Sequence, residues 1–165
     1  MYDAKHSGRN RYSFFRPELA EAASYRRGLE LDLRRALALE QFRLVYQPQI
    51  DLANQRTAGF EALIRWEHPE RGVVSPAEFI PLAEELGEIV DIGKWVLHSA
   101  CCEAASWPEP LSVSVNASPV QLARGGFDAT VRLVLELSGH APERLAIEIT
   151  ECVLLTRSQA SLATP

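Results

Sequence analysis

Cysteine is scarce in this chain, and a surplus of basic residues and a long apolar run are both missing. Three cysteines in 165 residues, Cys101, Cys102 and Cys152, make no disulfide framework. Their odd number, with no secretory leader in view, points to a reducing cytoplasm. The opening "MYDAKHSGRNRYSFF" has no apolar h-region, so no signal peptide is expected there. No run approaches the roughly 20 apolar residues that cross a bilayer, so no membrane segment is expected either. A net charge of −5 lacks the basic footprint of a nucleic-acid binder. His6, His68, His98 and His140 stand without ligand spacing and read as surface or structural residues. Adjacent Cys101 and Cys102 fall in a helical pattern and read as small packing residues.

What is there, 47% hydrophobic and 24% charged residues, is ordinary globular composition in a chain long enough for one sizeable core. After "RPEL", read as a connector, Leu29, Leu33 and Leu37 recur among charges and predict an amphipathic helix over 24–40. Strands are expected at 42–50 and 57–66, joined by the turn "DLANQR" as a hairpin. Ser75, Pro76 and Glu78 give a helix start with a capping box, and Gly87 a stop. A longer helix over 91–107 shows Ile92, Trp95, Val96 and Ala100 on one side, followed by a strand at 111–118. Ser118, Pro119 and Gln121 repeat the start signal. A helix over 127–137 stops at Ser138-Gly139, and a last strand covers 144–151. Strands separated by helical segments predict an α/β fold with a mostly parallel sheet.

The stretch "GFEALIRWEHP" carries the chemistry. Phe60, Ala62, Ile64 and Trp66 alternate with Glu61, Arg65 and Glu67, so one face of the strand is apolar and the other charged. Charge in a packed layer is costly unless paired or bound, so this strand is an exposed edge or part of a site. Two later strands also carry oxygen donors among apolar neighbours, Asn116 and Glu148, both near their strand ends. In an α/β barrel those ends converge on one face. Two carboxylates and an amide oxygen are hard ligands suited to Mg²⁺ or Mn²⁺. The bland reading is equally open on these residues alone: polar strand ends are common, and Glu61 has Arg65 within pairing range.

"YQPQI", "EALIRW", "RGVVSPAEFIPLAEELG", "SVNAS" and "EITE" occur in this order and together resemble the first half of the EAL family of cyclic di-GMP phosphodiesterases. The resemblance implies a TIM-like (β/α) barrel that hydrolyses cyclic di-GMP to pGpG with two Mg²⁺ or Mn²⁺ ions. Carried over residue by residue, it makes Glu61, Asn116 and Glu148 metal ligands, Glu61 central to catalysis and Glu151 a supporting residue. Gln47, Leu63 and Arg65 become substrate contacts, with Arg65 facing a phosphate. Phosphodiester cleavage needs neutralised charge, an activated water and a stabilised leaving oxygen, all of which two metals supply. An arginine adds a bidentate phosphate contact.

The family pattern runs out near Thr156, before the Asp-Asp-Phe-Gly-Thr-Gly segment and the later lysine, glutamate and glutamine that the resemblance leads one to expect. The fold is therefore expected as a barrel truncated to roughly its first half, inactive alone, with open edges that favour homo-oligomers or a missing half supplied in trans. "MYDAKHSGRNRYSFF" resembles the closing segment of a GGDEF diguanylate cyclase domain; the plain alternative is a basic leader. The expected division is 1–16 as a GGDEF remnant, 17–23 as linker and 24–165 as an incomplete EAL domain. A GGDEF domain of the parent chain is then a further partner beside cyclic di-GMP. The competing reading is a non-catalytic module that binds cyclic di-GMP or another protein, though every motif in the covered part is intact. An unrelated metal-dependent α/β enzyme requires the ordered motifs to be coincidental.

Overall fold

The computed structural model describes residues 17–149, and the expectations for 1–16, Glu151 and Cys152 fall outside them. The order is α1 (Pro17–Ala36), β1 (Phe42–Asp51), β2 (Arg56–His68), β3 (Gly72–Val74), α2 (Pro76–Leu86) and α3 (Ile89–Ala104). There follow β4 (Ser112–Ala117), α4 (Pro119–Arg124), α5 (Phe127–Ser138), a 3-10 turn at Pro142–Arg144, and β5 (Leu145–Ile149). Strands lie in the order β1-β2-β4-β5, with β3 paired to β2 in the same sheet. The hairpin β1–β2 is antiparallel, and the crossovers make β2–β4 and β4–β5 parallel. The described chain is an α/β fold with an open sheet.

Period-two alternation decides which face the helices cover. Trp66, Ala62, Phe42, Val113 and Val115 are buried with Phe79, Ile92 and Leu97 in one core. Phe42, Trp66 and Phe79 meet with ring centroids 5.6 to 5.9 Å apart. Trp66 is fully buried, and its indole nitrogen donates to Gln41 Oε1 at 3.0 Å, so its polar atom is satisfied. Leu29 and Leu33 bury α1 against this layer, and Leu37 packs at its margin.

Several local expectations shift. The first helix starts at Pro17, placing proline at the first helical position, so residues 17–23 form its opening turns. Its end is fixed by Glu40, held at φ 53°, while Gln41 N donates to Ala36 O and Glu40 N to Leu37 O. That is a Schellman closure built on a glutamate where glycine is the usual residue. Ser75 stands at the N-cap of α2, but the expected capping box does not form, because the Ser75 side chain makes no cap hydrogen bond. Glu78 instead faces Tyr25 of α1, and hydrogen bonding to that carboxylate raises the phenol pKa. The box at Ser118 and Gln121 is complete. Of the cysteine pair, Cys101 is buried and Cys102 exposed, so only Cys101 is a packing residue.

Two connections hold the layers by long-range polar contacts. Asp32 of α1 accepts from Arg71 Nε at 3.0 Å and lies 3.4 Å from His68 Nε2. His68 Nδ1 accepts the backbone N–H of Glu70 and Arg71, which places the ring proton on Nε2, toward Asp32. Arg144 donates to the carbonyls of Leu111, Ala104 and Trp107, capping the C-terminus of α3 with a cation from a distant turn.

Glu40→Gly is expected to raise stability by about 1 kcal/mol, since a β-carbon in the left-handed region costs about that much. Thermal denaturation checks it; an unchanged or lower midpoint contradicts the strain. Burial pushes the Cys101 thiol from 9.0 up to about 11. The folded state holds that proton longer than the unfolded one, so the stabilisation is full below about pH 9 and lost toward about pH 11. Cys101→Ala is expected to flatten this alkaline decline, and iodoacetamide at pH 8 to label Cys102 but not Cys101.

Candidate functional site

The face of the sheet away from the helices is polar, and its register is set by the same alternation. Gln47 lies opposite Glu61, and Glu61 opposite Ser114. Asn116 lies opposite Glu148 on the next strand. Parallel pairing puts Asn116 and Glu148 side by side close to the carboxyl ends of β4 and β5. Glu61, from the middle of β2, joins them through a hydrogen bond from Asn116 Nδ2 to Glu61 Oε1 at 2.7 Å. The Asn116 carbonyl is thereby turned away from Glu61 and left for another partner. Glu61 and Glu148 are half-buried, whereas Gln47 and Asn116 are exposed.

Arg65 does not pair with Glu61. Its Nη1 donates to the carbonyl of Ile64 at 2.8 Å, and no ion pair holds it among the described residues. Arg65 and Leu63 line a cavity of about 250 Å³ beyond the strand ends, together with Asn116, Ser118, Glu84 and Ile80. Asn116 thus touches both the carboxylate cluster and the cavity, and Arg65 stands at its wall with no carboxylate paired to it among the described residues. Ser118 Oγ donates to Glu84 at 2.6 Å while its backbone N–H donates to Gln121 Oε1 at 2.9 Å, fixing the turn after Asn116. Tyr46, the aromatic of "YQPQI", points to the other side: burial pushes its phenol up to about 12, and Trp107 meets it edge-on at 5.2 Å.

A polar residue absent from the sequence reading is Gln49, which donates to Glu148 Oε1 at 3.2 Å and accepts from Ser114 Oγ at 3.1 Å. It comes from β1, at the opposite end of the strand order from β5. In a flat sheet those edge strands are about 14 Å apart. A hydrogen bond between their side chains requires a strongly curled sheet. No group of three or more His, Cys, Asp or Glu residues with metal-holding geometry occurs among the described residues. The oxygen cluster reaches three donors only by counting an amide.

Oxygen donors at adjacent parallel strand ends, bordering a cavity with an arginine at its wall, could hold a hard cation beside an anionic ligand. The EAL-domain family profile matches residues 30–164, and the chain belongs to this family. It is 44% identical over 162 residues to an uncharacterized signaling protein of Caulobacter vibrioides, covering 98% of this chain and 20% of that protein. It is 40% identical over 166 residues to the bifunctional diguanylate cyclase/cyclic di-GMP phosphodiesterase MucR of Pseudomonas aeruginosa, at 98% and 24% coverage. The chain spans a quarter or less of these relatives' lengths. The solved PaMucR phosphodiesterase in complex with c-di-GMP superposes with a TM-score of 0.75 at 40% identity, covering 82% of this chain and 56% of that one. The FimX EAL domain of Pseudomonas aeruginosa bound to c-di-GMP gives 0.67 at 28% identity, covering 81% and 58%.

The rim depends on one close approach. A β-carbon on Gly93 of α3 falls 1.8 Å from Gln121 Nε2, so only glycine leaves room for the amide that closes the α4 capping box. Gly93→Ala is expected to cost about 1–3 kcal/mol by overpacking and to move the backbone amide resonances of Asn116 to Ser118. Unchanged resonances there, at any stability, contradict the coupling.

Proposed function

We propose that this chain supplies the first half of a cyclic di-GMP phosphodiesterase site, on a TIM-like barrel of which the described sheet is the opening portion. The observation that carries the reading is the gathering of Glu61, Asn116 and Glu148 from three strands beside an arginine-lined cavity. Its support from relatives is the phosphodiesterase activity of MucR and the c-di-GMP held by the PaMucR and FimX structures. The curl implied by the Gln49–Glu148 contact supports the barrel. The diguanylate cyclase activity of MucR also supports reading 1–16 as the tail of a GGDEF domain that precedes the EAL domain.

Mg²⁺ or Mn²⁺ fits the donors present. Two carboxylates and the outward carbonyl of Asn116 are hard oxygen ligands, whereas zinc sites usually take histidine or cysteine. When bound, such cations lower the charge on the phosphate and make water a better nucleophile. The chain's own residues do the rest. Arg65 binds a non-bridging phosphate oxygen, Leu63 and Ile80 present apolar surface to a guanine base, and Gln47 contacts the ligand from the mouth. Glu151, outside the described residues, is assigned a supporting role. Three donors among the described residues fall short of two six-coordinate ions, so further oxygen donors must join them for turnover.

The test is Mn²⁺- or Mg²⁺-dependent conversion of cyclic di-GMP to pGpG, measured in the 165-residue chain and in the product of the longest reading frame that contains it. The longer product is expected to turn over, the 165-residue chain not, and Glu61→Ala to lower the rate by more than about a hundredfold, since outer-shell losses alone reach that size. Turnover unaffected by Glu61→Ala overturns the assignment. Tight cyclic di-GMP binding without turnover in either protein turns the reading to a binding module.

A further inference from the structure

Gln49 holds the second carboxylate of the cluster, and the chemistry of its two partners fixes how. Glu148 is half-buried on β5 and, ionised, offers only acceptor oxygens. The Gln49 amide must therefore present its NH₂ to Glu148, as the 3.2 Å contact has it. That leaves the amide oxygen for Ser114, whose hydroxyl donates at 3.1 Å. Ser114 is only 4% exposed, so this hydroxyl has no ready exchange with water. The orientation of Gln49 is set from one side by a buried donor and read out on the other by a carboxylate.

The path of the side chain is also built into the strands between. Gln49 lies opposite Gly59 on β2, and Gly59 in turn opposite Ser112 on β4. With no side chain at Gly59, the amide passes over β2 to reach Ser114. On β5 the residue opposite Ser114 is Ala146, which leaves the neighbouring space small-sided. A β-carbon at Gly59 would fall 2.3 Å from the Ser112 carbonyl oxygen, so the position admits only glycine.

We propose that Gln49 is a positioning residue: it takes one oxygen of Glu148, leaves the other facing Asn116 and Glu61, and so sets that carboxylate for a divalent cation. This rests on the phosphodiesterase reading for the cation, though the hydrogen bonds themselves do not. Outer-shell partners of this kind orient a ligand and raise cation affinity by about ten- to a hundredfold. Gln49 acts only through Glu148 and touches neither phosphate nor base, which separates it from Gln47 one turn of the pleat away.

The experiment is Mn²⁺ titration, followed by the electron paramagnetic resonance signal of the free ion, in the longest reading-frame product that contains the segment. Gln49→Leu keeps the volume and is expected to weaken Mn²⁺ binding about tenfold or more, with the KM for cyclic di-GMP at saturating Mn²⁺ changed less than about twofold. Ser114→Ala weakens it less, Ser114→Thr restores it, and the Gln49→Leu/Ser114→Ala pair binds no worse than Gln49→Leu alone. A second readout needs no metal: in the nuclear magnetic resonance spectrum the Gln49 side-chain amide is slow to exchange, and Ser114→Ala speeds it. Mn²⁺ affinity unchanged in Gln49→Leu, or additive effects in the pair, overturns the proposal even if cyclic di-GMP is still hydrolysed. If the unmutated protein binds no Mn²⁺, or Glu148→Gln binds it as well as the parent, the cation-site reading falls and the positioning role with it.

Discussion

A one-residue slip of β2 against its neighbours would bury Glu61 and Arg65 under the helices and lift Trp66 and Ala62 into the open face. Everything else in the described chain is consistent with one register because that exchange is so costly. Fully burying an aromatic of this size is worth about 3 kcal/mol, and an unpaired carboxylate in the helix-covered layer costs several more. The Trp66–Phe42–Phe79 cluster therefore pins the strand that carries the chemistry. Core packing and site geometry are two faces of the same alternation.

The polar face is stabilised in a different way. Its carboxylates stay only half-buried, and each accepts a hydrogen bond from an amide on another strand, Asn116 for Glu61 and Gln49 for Glu148. An amide brings no charge of its own, so it orients a carboxylate without consuming the negative field that attracts a cation. An arginine or lysine at either position would neutralise that field. Arg65, on the same strand as Glu61, is turned instead to the cavity wall. On the proposed reading this division of charge suits a phosphodiester, with the carboxylate oxygens on one side and a guanidinium on the other.

What was legible in the sequence was what is local. The alternation of "GFEALIRW" located both faces of β2, and Ser118, Pro119 and Gln121 announced a capping box that the structure contains. The same signature at Ser75 failed because the Ser75 hydroxyl makes no cap hydrogen bond, while Glu78 faces Tyr25 of α1, a neighbour that no reading within one turn of helix can foresee. The reason for a glycine at position 93 inside α3 lies on another helix, at Gln121, and no local pattern carries it. Arg144, expected at the start of the last strand, closes the turn before it and caps α3 through carbonyls 33 to 40 residues away. Gln49 was passed over beside Gln47 because its two partners are 65 and 99 residues away. The first helix extends back to Pro17 because "PELAEAASYRRG" is strong helix-forming sequence, though it carries too few apolar residues to show a stripe.

The central claim is that Glu61, Asn116 and Glu148 converge on one cation. Crystals of the longest reading-frame product containing the segment, grown with Mn²⁺ and cyclic di-GMP, test it through the anomalous signal of the metal. The account predicts a peak within coordination distance of oxygens from all three side chains, with the cyclic di-GMP phosphate between that peak and Arg65. A peak that leaves out Glu148 or Glu61, or nucleotide bound with no metal among these oxygens, would contradict it.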